Sequence, residues 1–229
     1  MDTIGKSQKK KNAVATVLMI IFFSILAILI VIPVYAIFVA SFHPGNNLLQ
    51  YGLNLNPDFA NMTLSNYILL FTGSHDYWIW FGNSLLLTVI TVVLTLLVSS
   101  FVAYGFAAYD FKGKNFFFVI VLIILSIPFE VIMLPLYSQI SSWGMMDSYV
   151  SIVLPFLAHA STIFFFRQYL LGLPKSLIEA GRIDGCTEYG IFFKLIAPIM
   201  KPAFSAMAIL NGMNAWNNYM WPLLVIRSS

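Results

Sequence analysis

Five long apolar runs dominate the chain. Ala13–Ala40 supplies 28 residues, Phe81–Tyr109 supplies 29, Phe116–Tyr137 supplies 22, Tyr149–Phe166 supplies 18 and Ala203–Ile226 supplies 24. A helix needs about 20 apolar residues to cross a bilayer. Each run therefore predicts a spanning helix, the third interrupted by Pro128, Glu130 and Pro135. Barrel strands are excluded, because they run to about 9–11 residues of alternating polarity. The predicted fold class is all-α, a polytopic membrane bundle with five transmembrane helices.

Composition agrees with that pattern. The 229 residues are 60% hydrophobic and 9% charged, against about 25% charged in a soluble domain. So little polar surface cannot cover a water-soluble fold, and the remainder needs lipid. The first run, with Lys9, Lys10 and Lys11 ahead of it, also has the outline of a signal peptide. It is much longer than a 7–15-residue signal core, and Phe38 stands before Ala40 where cleavage requires a small residue. A retained helix is expected.

Charge sets the orientation. With a cytoplasmic N-terminus, Lys6, Lys9, Lys10, Lys11, Lys112, Lys114, Arg167, Lys175, Arg182, Lys194 and Lys201 all fall inside and only Arg227 falls outside. The opposite orientation inverts this split and violates the positive-inside rule. Residues 1–12 are then a basic cytoplasmic N-terminus and 13–229 a single transmembrane domain. Within it, Ser41–Tyr77 is an external loop with Asp58 and Asp76 but no Lys or Arg, and 168–202 is a long cytoplasmic loop.

Other chemistry is sparse. The net charge of +3 comes without basic residues interleaved with aromatics, so no nucleic-acid partner is expected. A single cysteine, Cys186, excludes a disulfide framework and an all-cysteine metal site. His43, His75 and His159 are far apart, so neither metal nor cofactor is predicted.

The cytoplasmic loop carries the most information. Ser176-Leu177-Ile178-Glu179 fits a capping box, predicting a short helix from about Leu177. Gly185 suits the left-handed residue that ends such a helix. Thr187 is a good N-cap for a second helix reaching about Ala197, before Pro198. Leu177, Ile178, Ile183, Tyr189, Ile191, Phe192 and Phe193 give this polar segment apolar residues that need a surface to pack on. Two readings stand at this point: amphipathic connectors lying on the membrane, or a docking element for a cytoplasmic partner.

Glu179-Ala180-Gly181-Arg182-Ile183-Asp184-Gly185, nine residues, then Leu195-Ile196-Ala197-Pro198 resembles the EAA loop of binding-protein-dependent ABC importer permeases. That motif reads E-A-A, three residues, G, nine residues, I-x-L-P. Glu179, Ala180, Gly185 and Pro198 match in place, while Gly181, Leu195 and Ala197 depart from it. Gly181 lowers helix propensity by about 1 kcal/mol. Arg182-Ile183-Asp184-Gly185, Ile127-Pro128-Phe129-Glu130, Pro135-Leu136-Tyr137, Phe166-Arg167-Gln168 and Ala215-Trp216-Asn217-Asn218-Tyr219-Met220-Trp221-Pro222-Leu223 resemble the maltose-type second permease of the sugar-importing branch.

The resemblance covers roughly Phe81 to the end, and implies a bacterial or archaeal inner-membrane subunit. It implies ATPase coupling through Glu179, Ala180, Gly181, Asp184 and Gly185. It further implies a second homologous permease, two ATPase subunits, an external solute-binding protein and a sugar substrate. The family has six helices, so a sixth is absent here and the sequence is expected to be truncated relative to a working subunit.

No phosphate-binding loop of the G-x-x-x-x-G-K-[ST] type is present: Ala108 stands five residues before Gly113-Lys114, and Asn115 follows. ATP hydrolysis is thus expected on a partner, and the chain is not itself an enzyme. The alternative class is a secondary transporter or channel, which usually carries paired ionisable groups at the midplane. Only Glu130 and His159 are on offer, Glu130 reading as an interfacial or capping carboxylate and His159 as a packing hydrogen-bonder. On the fifth run, Asn211, Asn214 and Asn218 are spaced i, i+3, i+7, one face of a continuous helix. They read either as helix–helix glue or, with Trp216 and Tyr219, as a substrate path suited to a neutral polyol. Glycerol phosphate is the alternative substrate, and it calls for an Arg or Lys that this run lacks inside the membrane.

Overall fold

The computed structural model describes residues 2–44, 58–73 and 76–227, with side chains from Ala15 onward. The lysines of the N-terminus and His75 lie outside this description. The described residues are helical and contain no strand. They fall into two compact units, Met1–Ile79 and Trp80–Ser229.

The first unit is built on α1 (Asp2–Ser41). Its stretch Ala15–Ser41 is apolar all round, with a mean hydropathy of 3.2. Nearly every side chain is exposed within the unit, Ala36 and Val39 excepted. A helix with no polar face is suited to lipid or to another protein, not to water. The short helix α2 (Ser65–Ile68) follows and continues as a π-helical turn over Leu69–Gly73. Asn66 Nδ2 ties it back to α1 by donating to the carbonyls of Ser41 and His43 at 2.9 and 2.7 Å.

The longest helix of the rest is α3 (Asp76–Ala108). It is followed by α4 (Lys114–Leu125), α5 (Phe129–Ser142), α6 (Tyr149–Val153, extended as a 3-10 turn over Leu154–Phe156) and α7 (Ala160–Leu171). The loop 168–202 holds α8 (Ser176–Ile183) and α9 (Glu188–Ile191), the latter prolonged by a π segment (Phe192–Ile196) and by α10 (Ala197–Ile199). The chain closes with α11 (Lys201–Trp216) and α12 (Met220–Val225).

Among the described residues, two helices are long and apolar enough to span unbroken, Ala15–Ser41 and Asp76–Ala108. Three bent pairs raise the number to five. The third apolar run is not one straight helix: α4 and α5 meet at 103°. Pro128, at the N-cap of α5, has no N–H to donate and disfavours helical geometry at Ile127. The fourth run bends by 42° between Phe156 and Ala160. The fifth is broken at Asn217–Tyr219. Pro222 would clash with the carbonyl of Asn218 if the helix ran through, so α11 ends and α12 starts anew.

Three buried cores hold the second unit; the smallest joins Phe106, Phe118 and Ile163, and two are larger. One joins Ala103 and Tyr104 of α3 and Phe166 and Leu170 of α7 to Ile191, Phe192 and Ile196 of the loop, and to Ala203 and Met207 of α11. The other gathers Ile140, Ile152, Trp221 and Val225. Trp221 is fully buried there, its indole N–H donating to the Ser151 carbonyl at 2.9 Å.

Candidate coupling loop and translocation cavity

The loop begins differently from the capping-box expectation. Ser176 is already helical, and Lys175 caps α8 without a side-chain bond. A capping residue must be extended, but Lys175 is itself in the helical region (φ −58°, ψ −28°). The carbonyls of Pro174 and Lys175 instead accept from Leu177, Ile178 and Glu179, so the Glu179 N–H that the Ser176 hydroxyl would cap is already bonded. At the other end Gly185 sits at φ +76°, the left-handed geometry that turns the chain. Thr187 is extended and its hydroxyl accepts from Gly190 N–H at 3.1 Å, capping α9 as expected. The second loop helix is not uniform. Pro198 withholds the N–H that the carbonyl of Lys194 would accept in an α-helix, and the wider π turn absorbs the mismatch.

The apolar loop residues divide sharply. Ile191 and Phe192 are buried, Leu177 and Ile178 half-buried, and Ile183, Tyr189 and Phe193 exposed. Glu179, Ala180, Asp184 and Gly185 share the exposed side of α8 and its turn. Gly181 alone of the five motif residues faces inward and is buried. A Cβ there would stand 2.9 Å from Ile191 Cγ1 and from Leu195 Cδ1. Glycine at this position is therefore a packing requirement, which offsets its cost in helix propensity.

One cluster was invisible in the sequence. Glu188, in the first turn of α9, accepts from Arg182 Nε at 2.7 Å and from Arg182 Nη2 at 3.3 Å. The Tyr109 hydroxyl, just beyond the end of α3, donates to Glu188 Oε2 at 2.6 Å, and Tyr104 reaches the same oxygen at 3.4 Å. The Arg182 guanidinium also lies 5.5 Å from the Tyr109 ring centroid. Hydrogen bonding from Arg182, and then from Tyr109, holds the Glu188 carboxyl below its ordinary range. Desolvation, and then the Glu188 contact, pushes the Tyr109 phenol up. The result is a charged clasp that fastens both loop helices to α3.

The second candidate site is a cavity of about 480 Å³ within the second unit. Its walls are α3 (Asn83, Ser84, Leu87, Thr91, Thr95), the first turn of α5 (Phe129, Glu130), the bend between α6 and α7 (Ile152, Phe156, His159), and the α11–α12 junction (Asn211, Asn214, Ala215, Trp216, Asn218, Pro222). Four of the five residues singled out on the fifth run line it; Tyr219 does not and is exposed.

The three asparagines are not equivalent. Asn211 is buried and occupied, its Nδ2 donating to Met207 O at 2.8 Å and to Thr162 Oγ1 on α7 at 3.1 Å. It is interhelical glue. Asn214 is exposed at the cavity. Asn218 reaches the cavity through the helix break, not through the i+7 register expected of a continuous helix, because α11 stops at Trp216. Trp216 packs edge-on against Phe81 at 5.7 Å, leaving its ring half-exposed. Glu130 and His159 were expected to serve as a capping or interfacial carboxylate and a packing group. Both line the cavity, Glu130 in the first turn of α5 and His159 Nδ1 lying 2.8 Å from Ser161 Oγ. The Pro128 break brings Glu130 there, and a straight third helix gives no hint of it.

The profile of the family described as "Binding-protein-dependent transport system inner membrane component" matches residues 95–229. The chain belongs to this family. Among its relatives, the arabinooligosaccharides transport system permease protein AraQ of Halalkalibacterium halodurans is 49% identical over 222 residues, which is 97% of this chain and 80% of the relative. AraQ of Bacillus subtilis is 50% identical over 208 residues, 91% of this chain and 74% of the relative. Among solved structures, a chain of a bacterial ABC transporter involved in the import of the acidic polysaccharide alginate shares the fold, with a TM-score of 0.83 at 23% identity over 95% of this chain and 76% of that one. The permease is thus an integral membrane transport component and not an enzyme. Family membership also sets aside the secondary-transporter and channel readings. It makes an ATPase and a solute-binding protein the permease's working partners.

Proposed function

We propose that this permease forms half of a translocation path for neutral saccharides, arabinose-containing oligosaccharides above all. The observation that carries this reading is the cavity. Its 480 Å³ lies in the range of small-ligand sites, and it combines the neutral amides Asn214 and Asn218 with the open ring of Trp216. Amides exchange hydrogen bonds with hydroxyls, and an indole face stacks on the apolar face of a sugar ring. Among the described residues, neither Lys nor Arg lines the cavity, which disfavours a phosphorylated polyol such as glycerol phosphate. The closely similar AraQ relatives point to the same substrate class.

On this reading residues 13–229 act as one transmembrane domain, with the basic N-terminus (1–12) and the loop 168–202 in the cytoplasm. A second homologous permease completes the path, and two ATPase subunits drive it. The exposed side of α8, with Glu179, Ala180, Asp184 and Gly185, docks into a cleft on the ATPase, with Ile183 and Tyr189 supplying the apolar contact. The test is reconstitution with the cognate partners in vesicles. Uptake of labelled arabino-oligosaccharide should require ATP and the binding protein, and should survive collapse of the proton gradient. Loss of uptake on adding an uncoupler at constant ATP refutes it.

A further inference from the structure

We infer that Glu130 sets the charge selectivity of the cavity, rejecting anionic solutes and leaving neutral or amino saccharides as substrates. The inference rests on the saccharide reading of the cavity given above. Its own basis is the placement of charge. Glu130 is the one acidic residue among the lining residues, and no Lys or Arg lines the cavity to neutralise it. His159 is the other ionisable group there.

Glu130 also stands in the first turn of α5, where the 103° bend turns the start of that helix away from α4. A free helix start favours anions, through its unpaired N–H groups and dipole. Here the helix carries its own carboxylate at that end, so the attraction for an external anion is answered from within. No hydrogen bond fixes the Glu130 side chain, and its residue is exposed at the cavity. Its two oxygens remain free to accept from sugar hydroxyls. The same oxygens repel a uronate or phosphate group brought into the same space. Two like charges about 5 Å apart at a protein–water boundary disfavour binding by at least tenfold.

The experiment uses the complete complex of this chain with its partner permease and ATPase subunits, in nanodiscs at low salt. Binding is measured for three matched disaccharides: neutral, with one amine, and with one uronate. For the unaltered complex the amino sugar should bind at least as tightly as the neutral one, and the uronate at least tenfold more weakly. Glu130→Gln should bring the uronate to within about threefold of the neutral sugar, while Glu130→Asp should keep the rejection. If the three sugars bind the unaltered complex equally, or if Glu130→Gln assembles and leaves the ratio unchanged, the assignment to Glu130 is overturned and the saccharide reading stands. If no saccharide binds the unaltered complex, the saccharide reading itself fails, and this inference with it. Should Glu130→Gln not assemble, the ratio among the three sugars on the unaltered complex decides.

Discussion

Arg182 and Glu188 face each other across the Gly185 turn, the guanidinium Nε donating to the carboxylate at 2.7 Å. The pair joins the exposed helix of the loop to the one packed on the membrane bundle, and Tyr109 carries the connection into α3. The Glu188 carboxyl is held below its ordinary value, so its contribution is present above the unfolded value of about 4.5 and is lost as pH falls through the lower folded value. Hydrogen exchange of residues 176–191, corrected for the intrinsic amide rate at each pH, should accelerate below about pH 4.5. In Glu188→Gln it should already be fast at neutral pH and should vary less with acidification. Transport per ATP hydrolysed should fall about two- to thirtyfold in that variant, the range expected when a coupling network is loosened.

Gly185 and Gly181 should fail in different ways. Gly185 has a positive φ and open space around its Cβ position, so Gly185→Val strains only the backbone, by about 1–2 kcal/mol. It should uncouple ATP hydrolysis from transport without affecting membrane insertion, and Gly185→Asn, which tolerates that geometry, should retain coupling. Normal vesicle transport by the Val variant would remove Gly185 from the docking role. For Gly181→Ala, the 2.9 Å contacts with Ile191 and Leu195 act against the gain in helix propensity. Overpacking of about 1–3 kcal/mol against about 1 kcal/mol predicts a net loss of stability, measurable by thermal unfolding in detergent and larger for Gly181→Val.

Substitution should separate glue from path among the asparagines. Asn211→Leu removes the bond to Thr162 and should cost about 0.6–1.7 kcal/mol of stability. Asn214→Leu touches only the cavity wall. It should leave the unfolding temperature unchanged while altering the rate or selectivity of transport across a sugar panel, and Asn218→Leu should do likewise. Unchanged transport in both would leave those two amides a packing role.

Trp221 should be the most damaging single truncation. It has no exposed surface and it satisfies the Ser151 carbonyl. Trp221→Ala should destabilise by about 3–5 kcal/mol. Trp221→Phe should cost less but leave that carbonyl unpaired, about 1–3 kcal/mol. Unfolding monitored by tryptophan-independent scanning calorimetry distinguishes the two.

Much of this was legible in residue order. The apolar runs locate the helices because lipid demands length and apolarity and little else. The loop motif identifies its exposed residues because Gly185 and Thr187 have only a few backbone roles open to them. Proline was the main source of error. Pro128 turns the third run into a bent pair, and Pro222 goes with the break that stops α11 at Trp216; a run's composition does not reveal where its axis turns. That is why nothing in the sequence places Glu130 and His159 in one cavity, and why Asn218 reaches it by a route that helical spacing does not describe. The Arg182–Glu188–Tyr109 clasp was hidden for a different reason. Its members are 6 and 79 residues apart, and only the packing of α9 on α3 brings them together.

The interruption between Trp216 and Met220 has a consequence for the bilayer itself. Backbone released from a helix cannot face hydrocarbon without a hydrogen-bond partner. Asn217 Nδ2 covers the Met213 carbonyl at 2.8 Å, but the three-residue gap opens where Asn218 and Pro222 border the cavity. That space can therefore hydrate whatever backbone the break leaves unpaired. A substitution that straightened the chain here should both remove that polar lining and close the passage, so wetting and patency are a single property of this junction.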